Sequence, residues 1–128
     1  MGDCRGRRIV LLAHCLLNQN AKVAGLPTHP GACPELVSLL VEAGAGIVQL
    51  PCPECRHLGP ARPLGTDTVE QYDTPAYRAA CRQIASQAAA DARSFADVGY
   101  RIVCVAGVEG SPSCSVDRVP RLAGAGGC

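Results

Sequence analysis

Three cysteines stand just beyond apolar runs that read as strands, and thiols placed this way could share one metal centre. Arg8-Ile9-Val10-Leu11-Leu12-Ala13-His14 runs into Cys15, and Gly46-Ile47-Val48-Gln49-Leu50-Pro51 runs into Cys52. Tyr100-Arg101-Ile102-Val103-Cys104-Val105-Ala106-Gly107 leads, through Val108-Glu109-Gly110-Ser111-Pro112-Ser113, into Cys114. If these strands lie parallel in one sheet, the three thiols gather at its carboxyl edge, where open α/β folds place their chemistry. Thiolate is the preferred ligand of zinc and of iron–sulfur clusters. Neighbouring strands lie about 4.8 Å apart, so residues just past adjacent strand ends can meet around one centre. Three thiolates converging on one point suggest a metal centre with a vacant position.

The remaining cysteines have simpler readings. Cys104 lies mid-strand and Cys81 on the apolar face of a helix, which predicts that both are core. Cys33 falls at a helix N-cap, and Cys4 and Cys128 are near the termini. Cys52-Pro53-Glu54-Cys55 is a C-x-x-C, which can be a redox dithiol or half of a zinc site. A thioredoxin-like motif opens a helix, whereas Arg56-His57-Leu58-Gly59-Pro60 predicts an early break. The second C-x-x-C that zinc would want is missing. Polar residues fall in the same places. Glu54 is the best general-base candidate, since a carboxylate beside a desolvated centre can take a proton from water. Pro112 fixes the loop that presents Ser111 and Ser113. His14 precedes Cys15 and Gln19 follows it. Asn18, Asn20 and Glu109 read as loop residues satisfied by backbone. Arg62 and Asp73 would contact either substrate or solvent.

These residues need a scaffold, and the pattern supplies one. The first strand ends near Ala13, and an irregular polar segment follows from Asn18 to Pro30. A helix runs from Pro34 to Ala43, with Pro at its first position and Gly44 at its stop; Leu36, Leu39, Leu40 and Ala43 would face the sheet. The second strand, Ile47 to Leu50, is halted by Pro51. The stretch 52–73 shows no clear period, and so long an irregular connection inside a compact domain points to function. Thr74-Pro75 opens a second helix reaching about Val98, with Tyr77, Cys81, Ile84, Ala88, Ala92, Phe95 and Val98 on one stripe and Gly99 closing it. The third strand, Ile102 to Ala106, is continuously apolar, as expected when helices cover both faces. Strand, helix, strand, helix, strand predicts a three-layer, Rossmann-like α/β domain with a small parallel sheet and right-handed crossovers. One domain spans residues 1–117, and the Gly/Ala-rich tail 118–128 is expected to be disordered. A sheet this thin leaves an edge open, so a homodimer is physically plausible.

Bulk properties narrow the function. A chain of 128 residues buries roughly 65% of its unfolded surface. Formal charge is +1 and Trp is absent; no basic run interleaves with aromatics, which argues against nucleic acid or an anionic membrane as partner. The apolar run after Arg5, Arg7 and Arg8 is too short for a signal sequence or membrane span, so a cytoplasmic location is expected. Nine cysteines invite a disulfide framework, but the odd count and the regular α/β pattern favour metal binding or catalysis.

The segments Ala13-His14-Cys15-Leu16-Leu17-Asn18-Gln19-Asn20, Gln49-Leu50-Pro51-Cys52-Pro53-Glu54 and Gly110-Ser111-Pro112-Ser113-Cys114 resemble the 2-thiouracil desulfidase family, in its branch of related desulfidases. The likeness spans roughly residues 8–117. It implies a 4Fe–4S cluster held by Cys15, Cys52 and Cys114, with a fourth iron open to the sulfur of a small thiolated substrate. It also implies hydrolytic removal of that sulfur, with Glu54 as proton acceptor and Ser111 and Ser113 orienting substrate or water. The chain departs from the family in carrying Ser115 where members carry Gly, and in lacking the further strand and helix that members show after this point. Two other functions follow from the residues themselves: a thiol–disulfide oxidoreductase using Cys52 and Cys55, and a non-catalytic zinc-binding domain.

Overall fold

The computed structural model describes residues 2–119. Along the chain run β1 (Arg8–Leu12), α1 (His14–Leu17), α2 (Pro34–Glu42), β2 (Gly46–Gln49), α3 (Pro53–Leu58), α4 (Val69–Tyr72), α5 (Pro75–Ala96) and β3 (Arg101–Ala106), with a single 3-10 turn, Gln19–Ala21, after α1. The strands form one parallel sheet in the order β2-β1-β3, so the domain is mixed α/β as the sequence predicts. The chain moves outward from β1 to β2 and then back across β1 to β3. In that order, right-handed crossovers place successive helices on opposite faces. The expected tail lies, from residue 120 onward, outside the described residues.

β1 is the core. Flanked by a strand on each side, its Val10, Leu11 and Leu12 are 1%, 3% and 0% exposed, which fits a run of β-branched and aliphatic residues with no polar alternation. Leu12 pairs with Gln49 on one side and Ala106 on the other, so the three strands end level. The ladder extends one step beyond, through Leu50 N–H to the Leu12 carbonyl (2.8 Å) and Ala13 N–H to the Ala106 carbonyl (2.9 Å).

Several expectations are corrected. In α2, Leu36, Val37 and Leu40 are partly shielded, while Leu39 is 62% exposed and Ala43 is exposed; the inward stripe follows i, i+1, i+4, a rotation from the predicted face. β3 is not covered on both sides. It is an edge strand, with Val105 62% exposed and Cys104 exposed rather than core. The stretch 52–73 is not irregular throughout, because α3 and α4 lie in it: Pro53 starts α3, and a Thr68–Gln71 capping box starts α4. The stripe of α5 is shielded as predicted from Tyr77 to Phe95, but the helix stops at Ala96 and Val98 is 68% exposed. Among the described residues no helix is long and apolar enough to cross a membrane.

Leu12 and Leu39 make a matched pair for testing this core. Leu12→Ala should cost about 2–5 kcal/mol in urea unfolding, whereas the exposed Leu39→Ala should stay within about 0.5 kcal/mol of wild type.

Candidate metal centre and active site

Each candidate thiol is fixed by a different local device. Cys15 lies in the first turn of α1, immediately past β1. Gln19, only 2% exposed, holds that turn: its Nε2 donates to the Cys15 carbonyl (2.9 Å) and to Cys33 Sγ (3.5 Å), and its Oε1 accepts Thr28 N–H (3.1 Å). Cys52 is the N-cap of α3, and its Sγ accepts the Cys55 N–H at 3.3 Å. The C-x-x-C therefore does open a helix, and that helix ends early, as Arg56–Pro60 predicts; Pro53 at the first position and Gly59 just past the end bracket it.

Cys114 is brought back to the sheet by a folded loop. Val108 N–H donates to the Cys114 carbonyl (3.0 Å), and a Cβ at Gly107 would collide with that carbonyl, so only glycine allows this approach. Ser111 Oγ accepts Ser113 N–H (3.2 Å) and Cys114 N–H (3.1 Å) and donates to Glu54 Oε2 (3.4 Å).

Cys15, Cys52, Cys114, Glu54, Arg62 and Ser111 all line one cavity of about 290 Å³, walled also by His14, Lys22, Val23 and Leu26. All three thiols are half-buried, and none of the eight described cysteines is in a disulfide. Burial pushes each thiol up. Cys114 reaches about 12, with the neighbouring Cys52 and Cys15 adding to the effect of burial. Cys15 is raised mainly by burial, against the opposing pull of Lys22. For Cys52 burial again dominates, opposed by the Cys55 N–H. All three line the same cavity, and a metal cation there is the charge that would relieve all three at once.

Among the described residues no three His, Cys, Asp or Glu side chains are grouped to hold a single metal ion. Thiolates on one tetrahedral zinc stand about 3.8 Å apart, given Zn–S bonds of about 2.3 Å. A cluster binds its thiolates on separate irons and so needs a wider ring of donors. The donors here are soft thiols from three separate segments lining one hollow, the kind of ligand such a cluster takes.

Glu54 and Arg62 form the charged side of the cavity. They are 6% and 4% exposed and pair at 3.8 Å. Arg62 also donates to the Gly59 carbonyl (2.8 Å) and the Ala21 carbonyl (2.7 Å), while its buried Nε has no partner among the described residues. Arg62 is therefore not a solvated loop residue. Asp73 is, being exposed and paired with Arg78. Ser113 borders other cavities and sets its hydroxyl against Tyr77. Cys55 borders a separate small cavity with Cys52 and His14. Asn18 Oδ1 accepts Asn20 N–H, and Glu109 accepts Arg118 N–H, as expected for loop residues. Reading the sequence alone missed Gln19 as a clamp and Arg62 as the partner of Glu54. Arg62 lies in an irregular, proline-flanked stretch, so no local period marks it.

The raised thiols make a pH prediction. Their folded-state values lie above the ordinary 9.0, so the folded metal-free protein keeps protons that the unfolded chain releases. The stability this contributes is fully present below about pH 9 and is lost as pH rises toward 12. Urea midpoints of metal-free protein should fall over that window, and Cys114→Ala should make the fall shallower; an equally steep fall in the variant would contradict the assignment.

No family model matches the chain, and no solved structure matches it. The chain is 36% identical over 112 residues to an uncharacterized protein, MJ0003, of Methanocaldococcus jannaschii, an alignment covering 88% of this chain and 70% of that protein. At that identity and coverage, the chain belongs to the same protein family as MJ0003.

Proposed function

We propose that this chain is a cytoplasmic, cluster-dependent desulfidase that removes sulfur from a small, thiouracil-like thiocarbonyl compound by hydrolysis, without net electron transfer. The observation that carries the reading is one cavity lined by Cys15, Cys52, Cys114, Glu54 and Ser111, delivered from three strand ends. The three cysteines would hold a 4Fe–4S cluster, which when bound would supply a Lewis-acidic iron for the substrate's sulfur. In the net reaction the C=S bond is replaced by C=O from water, and sulfur leaves as hydrogen sulfide.

The chain's own residues supply the proton chemistry and the geometry. Glu54 would take a proton from the attacking water. Its carboxylate is held from two sides, by Arg62 at Oε1 and by the Ser111 hydroxyl at Oε2. A hydroxyl has one donor and two acceptor positions, and Ser111 uses all three, on Glu54 and on the N–H groups of Ser113 and Cys114. Ser111 thus orients the base and the Cys114 loop rather than the substrate. Val23, Leu26 and Val108 supply an apolar wall that strengthens these electrostatic contacts by excluding water.

The oxidoreductase reading has one observation in its favour: Cys52 and Cys55 flank the first turn of α3 and border a shared cavity of about 250 Å³. Burial pushes Cys52 up, whereas thiol exchange needs an activated thiolate, so this reading ranks second.

Protein reconstituted without oxygen should be brown, carry about four irons per chain, and release hydrosulfide from 2-thiouracil or 4-thiouracil. Cys15→Ala, Cys52→Ala and Cys114→Ala should each abolish both cluster and activity. Glu54→Gln should keep the iron and lower kcat by about 10²–10⁴-fold. A colourless protein with full activity, or zinc bound in place of iron, would overturn the proposal.

A further inference from the structure

The loop that returns Cys114 to the cavity is anchored by two serines facing different surroundings. Ser111 borders the thiol cavity and reaches Glu54, whereas Ser113 borders the two neighbouring cavities and reaches the Tyr77 hydroxyl, 36 positions away in sequence. Tyr77 is a fixed post for this contact. It lies in the first turn of α5, its N–H is capped by Thr74 Oγ1 at 3.1 Å, and it is 5% exposed. His57 packs edge-on to its ring and Tyr72 at a tilt, each with centroids 5.2 Å away. Those two residues belong to α3 and α4, so the post is set by the helices that follow Cys52 as well as by α5. The last link is short, because Ser113 is joined directly to Cys114.

We propose that the Tyr77–Ser113 contact is a latch that holds Cys114 in place beside Cys15 and Cys52, making Tyr77 a positioning residue for the third thiol. Its consequence for a cluster rests on the desulfidase reading, but the latch itself concerns only where the Cys114 loop sits. Through α3 the same post ties Cys114 to the helix that Cys52 caps, so two of the three thiols share one support. Ser113, committed to Tyr77, is then not a substrate-orienting residue.

Alkylation of metal-free protein by N-ethylmaleimide at fixed pH, read thiol by thiol by mass spectrometry, measures how often each segment opens. Tyr77→Phe and Ser113→Ala should each speed Cys114 modification about fivefold, the change set by one neutral hydrogen bond, with Cys15 unmoved. The double variant should be no faster than either single one, since both remove the same contact. Unchanged Cys114 rates, single effects that multiply in the double variant, or equal acceleration of every thiol would overturn the latch. In iron-loaded protein, Y77F should shorten the lifetime of the visible absorbance under chelator by a similar factor. Wild-type protein that takes up no iron would remove the desulfidase reading, and the alkylation rates would still decide the latch.

Discussion

Parallel pairing of β1 with a strand on each side is the constraint from which the site follows. Because Leu12 is opposite both Gln49 and Ala106, three chain segments leave the sheet at the same level and on the same edge. Each then needs only a short excursion to reach a common hollow. For Cys15 and Cys52 the excursion is three residues, ending in the first turn of α1 and at the N-cap of α3. For Cys114 it is longer, and the extra length is folded back by the Gly107 close approach and the Ser111 bonds. β1 is enclosed on both faces, with Val10, Leu11 and Leu12 almost fully buried between its two neighbours.

The polar half of the cavity obeys a different constraint. Glu54 and Arg62 are both nearly removed from water, which is costly for two charges unless each meets a partner. Gly59, which follows α3, is a local partner, while the Ala21 carbonyl, which follows α1, and Ser111, in the Cys114 loop, come from distant segments. One buried pair therefore connects the surroundings of all three thiols. Burial raises the three half-buried thiols; a bound cationic centre would favour the thiolates, releasing their protons as it binds.

Much of this was legible in the sequence because it is local. Apolar runs ending before Cys15, Cys52 and Cys114 marked the strands, and Thr74-Pro75 with the stripe Tyr77 to Phe95 marked α5. What stayed illegible depends on contacts across the fold. The covering of β3 is set by its edge position, which its apolar composition does not reveal, so Cys104 was misread as core. The roles of Gln19, Arg62 and Tyr77 rest on partners up to 41 positions away, and no period or spacing encodes those. The short helix after Cys52 was hidden for another reason: proline-flanked, six-residue helices carry too few positions to show a period.

We propose that Cys15, Cys52 and Cys114 jointly hold one iron centre, and diffraction from crystals of anaerobically purified protein, collected on both sides of the iron absorption edge, decides the matter. A single compact anomalous peak within bonding distance of those three sulfurs and beside Glu54 is the expected result. Iron absent from that hollow, or the three sulfurs turned away from one another, would rule the shared centre out.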